Sequence, residues 1–325
     1  MTRSREMQEV NRPIFVVGSP RSGTSILTWC LGQHPNIFPV PESNWMGEFA
    51  LNVGASYQVG VARGDRTILS AMDISRAEFF ATFGGSINNL ILSHRSDLEK
   101  KRKMIRPSSE PKMRWVDGTP EYSLHICALR KLFPEAVFVH VLRDVRDVVR
   151  SMLNFRRVAG FELVRNESQA YKYWLRTVKA CAQAEQAYGS RVVHRLFYTD
   201  LIENPESLVR SLLEFVGEPY CARCLEPLSK RINSSNVPAD FVAEDPATDP
   251  RVVEEATTLY TELQKTSLPT KPFSAAADEM EAAFNRKVQH MVTVDDQLRN
   301  ARRTIKTLEK QCRLEKHETG DRALL

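Results

Sequence analysis

Two stretches of this chain hold side chains whose types and spacing suit a phosphorylated ligand. In VVGSPRSGTS, four residues separate Gly18 from Gly23, and Ser19, Arg21, Ser22, Thr24 and Ser25 lie within or beside the turn they define. A Gly-rich turn between a strand and a helix offers an anion backbone N–H groups and the positive end of the helix dipole. The hydroxyls add donors, and Arg21 adds a charge able to reach a bridging or transferring oxygen. The spacing is that of a triphosphate loop, G-x-x-x-x-G-K-[ST], except that Thr24 occupies the lysine position. That lysine serves the β and γ phosphates, and the hydroxyl after it serves magnesium. A loop lacking the lysine suits a ligand with one phosphate here, whose transferable group carries less charge.

The second stretch is VFVHVLRDVRDVVRSML. Its strand ends at Leu142, and Arg143 follows at the carboxyl edge, where parallel sheets bind ligands. Counted from Asp144, Ser151 falls about two helical turns on and near the same face. Arg143 and Ser151 can therefore meet one anion through charged and neutral hydrogen bonds. Asp147 shares that face, and its charge opposes an anion unless Arg143, Arg146 or Arg150 offsets it. Asp144, Arg146 and Asp147 read more simply as helix capping and local ion pairing.

The elements that must position these residues predict an α/β chain. Ile14 to Val17, Val137 to Leu142 and Val192 to Tyr198 are rich in β-branched and aromatic residues and read as strands. Helical patterns cover Leu124 to Phe133, Val145 to Phe155 and Ser168 to Tyr188. This alternation predicts three layers, a parallel sheet flanked by helices on both faces. Further on, Asn204, Pro205, Gly217 and Pro219 mark the ends of another helix. From residue 274 onward, Phe284, Met291, Leu298, Ile305 and Cys312 recur every seven residues, with Val294, Ala301 and Leu308 three further on. That is an a/d seam of about four heptads, and it predicts a helical tail that pairs as a coiled coil or packs back on the domain. The chain thus divides into a flexible N-terminus (1–12), a domain (13–273) and a tail (274–325).

Bulk properties bound the function. At 325 residues the chain accommodates one large domain plus an appendage. A formal net charge of +5 suits an anionic ligand but is too small to argue for nucleic acid. No apolar run reaches the length of a membrane span and the first residues lack a signal-peptide core, so the expected compartment is cytoplasmic. Six scattered cysteines predict reduced thiols, and CARC at 221–224 lacks the second pair a zinc site needs. The basic run EKKRKMIR reads as a solvated face or as a contact for an anionic acceptor.

The two phosphate stretches together resemble a known family. VVGSPRSGTS is similar to the 5'-phosphosulfate loop, and VLRDVRDVVRSM to the 3'-phosphate motif, of sulfotransferases that use 3'-phosphoadenosine 5'-phosphosulfate (PAPS). The phrases WVDGTPEYS and FYTDLIENPESLVRSLLEFVG match in the same order, so the resemblance spans roughly residues 13–238. It is strongest to the branch acting on carbohydrates, tyrosine and bacterial metabolites, and it implies the P-loop-like sulfotransferase fold.

The resemblance implies specific roles. The backbone of Ser22 to Ser25 and the Arg21 side chain would hold the 5'-phosphosulfate, with Ser19 in the same loop. Arg143 and Ser151 would hold the 3'-phosphate, and Tyr198 would lie against the cofactor. Ser234 or Ser235 in INSSNVPAD would contact it as well. Glu42, placed after the HPN phrase in QHPNIFPVPESNW, would be the general base. A carboxylate between Pro41 and Trp45, partly desolvated near the loop, gains a raised pKa suited to that work. No metal is required, and the acceptor would be a hydroxyl on a carbohydrate, glycolipid or other metabolite. One departure is plain: relatives carry a lysine before TP, and here Gly118 stands in DGTP, leaving Arg21 alone or with Lys112 or Arg114 to supply the charge. Two rival readings are a kinase or nucleotide triphosphatase with a degenerate loop, and a non-catalytic oligomeric scaffold. A scaffold has no physical need for Arg21, Glu42, Arg143 and Ser151 together.

Overall fold

The computed structural model describes residues 12–101, 113–155, 162–229, 237 and 245–322. Five parallel strands form the sheet: β1 (Ile14–Gly18), β2 (Ile37–Pro39), β3 (Arg114–Asp117), β4 (Val137–Leu142) and β5 (Val193–Phe197). Their order is β2-β3-β1-β4-β5, with β1 central between β3 and β4. The helices are α1 (Thr24–Gly32), α2 (Met46–Val61), α3 (Arg76–Lys101), α4 (Ile126–Leu132), α5 (Val145–Leu153), α6 (Glu167–Tyr188), α7 (Pro205–Val216), α8 (Pro250–Lys265) and α9 (Ser274–Arg322). Short helical turns cover Pro120–His125, Tyr198–Glu203 and Ala222–Ser229.

Alternation along β1 divides the core. Phe15 and Val17 face a cluster that α2, α3, α4, α6 and the start of α9 complete, while Ile14 and Val16 face α1 and α7. Both faces are covered, as the apolar strands predict. The chain leaves β1 toward β2 and β3 on one side and returns through β4 on the other, so the topology switches beside β1. Ligand clefts form at the carboxyl ends of strands at such a switch.

Two strands escaped the sequence reading. β2 has three residues and ends in Pro39, which an edge position tolerates because that N–H has no ladder partner to lose. β3 begins with Arg114 and ends with Asp117, both buried. Arg114 lies at the amino end of its strand, where Nη1 donates to Val216 O at 2.5 Å and pairs with Glu218 at 3.0 Å. It therefore holds β3 against the end of α7, at the opposite edge from the carboxyl ends, and does not replace the lysine missing at Gly118. Lys112 lies outside the described residues.

Helix ends largely follow their signals. Asp144 caps α5, accepting from the N–H groups of Arg146 and Asp147, which stabilises the helix start by about 1 kcal/mol. Gly217 ends α7 in the left-handed region, whereas Asn204 occupies the N-cap position of α7 without a side-chain bond. The tail forms one long helix with two environments. Phe284 and Val288 are buried in the core, while Val294, Leu298, Ile305 and Leu308 are exposed.

Candidate active site

β1 delivers the chain into the first loop at Gly18, and α1 begins at Thr24. Between them the backbone enters the left-handed region at Arg21 (φ 73°) and again at Gly23 (φ 112°). Ser22 N–H donates to Ser19 O at 3.1 Å and closes the turn. For arginine that conformation costs about 1–2 kcal/mol, and such strain is held where surrounding structure over-determines it. Here the surroundings are visible. Arg21 Nε donates to Ser151 Oγ at 3.2 Å, Arg143 Nη1 donates to Arg21 O at 3.2 Å, and the Arg21 guanidinium lies 4.7 Å from the centroid of the Phe155 ring. The two stretches that looked separate in sequence are thus joined across 122 and 130 residues.

Tyr198, the first residue past β5, completes the loop's back wall. Its ring packs so closely on Gly23 that a Cβ there would come within 2.6 Å of it, which is why this position has no side chain. The Arg143 guanidinium lies over the same ring, 4.3 Å from its centroid. Asp147, exposed on α5, pairs with Arg143 Nη2 at 3.7 Å, so its charge is offset as the sequence requires.

Ser19 and Thr24 are buried, and Ser19 Oγ donates to Pro20 O at 3.4 Å. Ser22 is buried as well, and among the described residues neither its Oγ nor the buried Nε of Arg143 has a hydrogen-bond partner. Two donors without partners beside a strained Gly-rich loop fit an anionic oxygen ligand, since buried polar groups otherwise find partners. Ser234 and Ser235 lie outside the described residues.

Glu42 carries its charge within electrostatic range of Arg21. The residue as a whole is exposed, but its carboxyl reaches the loop and accepts a hydrogen bond from the Ser25 hydroxyl. Loss of solvation, followed by the charges of Glu121 and Asp117, raises its pKa above the usual carboxylate value, against the pull of Ser25 and Arg21. Arg21 feels the reverse: burial and the nearby Arg143 lower its pKa, and Glu42 opposes them. The loop guanidinium therefore feels both a second arginine and a carboxylate with raised proton affinity. That combination can stabilise developing negative charge and accept a proton.

The segment that holds Glu42 is built on DGTPEYS. The buried Asp117 accepts from Thr119 N and Thr119 Oγ1 at 2.8 and 2.6 Å, Thr119 Oγ1 accepts from Ser43 N at 2.9 Å, and Ser43 Oγ hydrogen-bonds Tyr122 OH. Tyr173 of α6 donates to Glu121 at 2.6 Å. Gly118 is the close-approach point of this segment with α1: a Cβ would lie 2.2 Å from Thr28 Oγ1 and 3.1 Å from Thr28 Cβ. The missing lysine is thus excluded by packing as well as absent. Phe155, Tyr173 and the Asp117–Ser43 network were not singled out from sequence, because each depends on an approach between distant segments.

The sequence pattern described as "Sulfotransferase family" matches residues 13–221. This chain belongs to that family. The matched region runs from the residue before β1 to Cys221, just ahead of the Ala222–Ser229 turn, and contains every site residue described above. Among curated relatives, protein-tyrosine sulfotransferase A of Caenorhabditis elegans is 24% identical over 228 residues, covering 69% of this chain and 55% of that one. Protein-tyrosine sulfotransferase 1 of Danio rerio is 25% identical over 213 residues, covering 64% and 53%. The chain thus spans about half the length of these relatives. A solved sulfotransferase from Mycobacterium avium overlays with a TM-score of 0.45 at 18% identity, covering 84% of this chain and 81% of that one. Among the described residues no helix is long and apolar enough to cross a membrane.

Proposed function

We propose that this sulfotransferase takes its sulfuryl group from PAPS and passes it to a hydroxyl acceptor, with Glu42 as general base. The observation that carries the reading is that Arg21 is bonded directly to Ser151 and Arg143 and lies within electrostatic range of Glu42. When bound, the donor supplies an activated sulfuryl group and a bisphosphate leaving group. Ser22 and the N–H groups of the loop hold the 5' end, Arg143 and Ser151 hold the 3'-phosphate, and Tyr198 lies against the nucleotide. Arg21 offsets negative charge on the leaving side. Glu42, unprotonated at working pH, takes the acceptor's proton at its carboxylate. Positioning and electrostatics do most of the work.

The acceptor carries a hydroxyl on a carbohydrate, glycolipid or other metabolite, and the relatives named for protein tyrosine add a phenolic peptide to that set. Incubation with labelled PAPS and separate pools of glycans, glycolipids, tyrosine peptides and small hydroxylated metabolites identifies it. Label appearing in one pool supports the reading. Magnesium-dependent ATP hydrolysis with no label transferred supports the triphosphatase alternative instead.

We further propose that the outer half of α9 pairs with a second copy of the chain. Val294, Leu298, Ile305 and Leu308 leave an apolar seam in water, and a helix without tertiary contacts is marginal. Parallel in-register pairing sets His290 near Asp295, Gln297 near Arg302 and Thr304 near Glu309 of the other copy, with no like charges opposed. Removal of residues 295–325 should convert a dimer to a monomer in light scattering. An unchanged number of chains per particle excludes the pairing.

A further inference from the structure

A cavity of about 640 Å³ lies between α6 and the inner half of α9; no loop residue lines it, and no step above uses it. Each helix gives it one face at helical spacing: Arg176, Lys179, Ala180 and Gln183 from α6, and Met280, Ala283, Phe284 and Lys287 from α9. Leu51, Leu124 and Ala128 extend the apolar surface. The volume lies within the roughly 300–1,000 Å³ range of small-molecule sites.

Three features mark it as more than a packing defect. Ser123 lines it and is 1% exposed, and its Oγ has no hydrogen-bond partner among the described residues. A buried hydroxyl left so normally waits for a partner. The charged lining is cationic. Lys179 is ion-paired with Glu255, whereas neither Arg176, over the Tyr173 ring at 5.2 Å, nor Lys287 is ion-paired among the described residues. His125 also lines the cavity, and its one acidic neighbour in ion-pair range among the described residues is the exposed Glu48, 3.9 Å away. Two exposed cations without ion pairs and a buried hydroxyl without a partner among the described residues, above an apolar floor, together describe the complement of an anionic headgroup on an apolar chain.

We propose that this cavity binds an amphiphilic anion, a single carboxylate or sulfate on an alkyl chain, with Arg176, Lys287 and Ser123 at the headgroup and Leu51, Leu124, Met280 and Phe284 around the chain. The site uses none of the loop residues, so it stands independently of the transfer reaction. Because α9 forms one wall, the buried half of the tail gains a role beyond covering the sheet.

Calorimetry of the full chain with decanoate and with decyl sulfate, both below their micellar concentrations, tests the proposal. One site per chain is expected, unaffected by saturating adenosine 3',5'-bisphosphate. The tighter headgroup distinguishes a fatty acid from a sulfated alcohol as its source. Decyltrimethylammonium, with the same chain and the opposite charge, is expected to bind at least tenfold more weakly. Arg176→Gln and Lys287→Gln, both at the rim, should each weaken decanoate or decyl sulfate about tenfold or more, as loss of a charged hydrogen bond requires, while circular dichroism stays unchanged. Absence of binding by either anion, equal binding of the cationic chain, or unchanged affinity in both folded variants overturns it.

Discussion

Arg21 Nε and Ser151 Oγ lie 3.2 Å apart, although 130 residues separate them. The bond ties the first loop to the second turn of α5, and the Arg143 contact to the Arg21 carbonyl ties it again. The two stretches proposed to hold the phosphates are therefore joined by direct hydrogen bonds, with Glu42 reaching the same loop through Ser25. Such preorganisation lets binding energy go to the ligand instead of to assembling the site.

Replacing Glu42 should separate chemistry from binding. Glu42→Gln is expected to lower kcat by about 10²–10⁴-fold, the usual range for a general base, while the Kd for adenosine 3',5'-bisphosphate changes little. A base works only when unprotonated, so the raised pKa of Glu42 sets the acid limb of kcat/KM above the ordinary glutamate range, with activity rising as pH rises through it. Glu121→Gln removes one of the charges that hold this pKa up. The acid limb should then move to lower pH. An unmoved limb would mean that another group controls it.

Gly118→Lys tests whether the departure from the family phrase is a matter of charge or of space. Since Thr28 already occupies the position a Cβ would need, the lysine should not improve turnover and should destabilise the protein by about 1–3 kcal/mol, the usual range for overpacking. Combining it with Thr28→Ala should recover part of the loss in a thermal melt. A stable single variant with raised kcat contradicts this packing account.

Much of this was legible in local sequence. The Gly18 to Ser25 loop, Arg143 directly after an apolar strand, and Ser151 two turns later are short-range patterns, and the structure brings them together as strand and helix geometry require. β2 and β3 were not legible, because three residues ending in proline and four ending in buried charges lack an alternating or apolar run. The packing of Tyr198 on Gly23, of Thr28 on Gly118 and of Phe155 on Arg21 comes from long-range approach, which no local period records. The tail was legible as a seam, but not where it parts from the domain.

That parting point gives a stability prediction. Phe284 is 4% exposed and meets Phe80 edge-on at 6.1 Å, so Phe284→Ala should cost about 3–5 kcal/mol by creating a cavity. Leu298→Ala, on the exposed seam, should leave the monomer's denaturant midpoint within error at concentrations too low for pairing. Equal losses at the two positions would mean that the outer seam is also packed on the domain.

Titration calorimetry with adenosine 3',5'-bisphosphate in the absence of magnesium tests the central claim most directly. Wild-type protein is expected to bind it tightly at one site per chain. Arg143→Ala should weaken that binding about 10–100-fold, as expected for charge-assisted hydrogen bonds to a phosphate. Binding that requires magnesium, or an affinity indifferent to Arg143, contradicts the account.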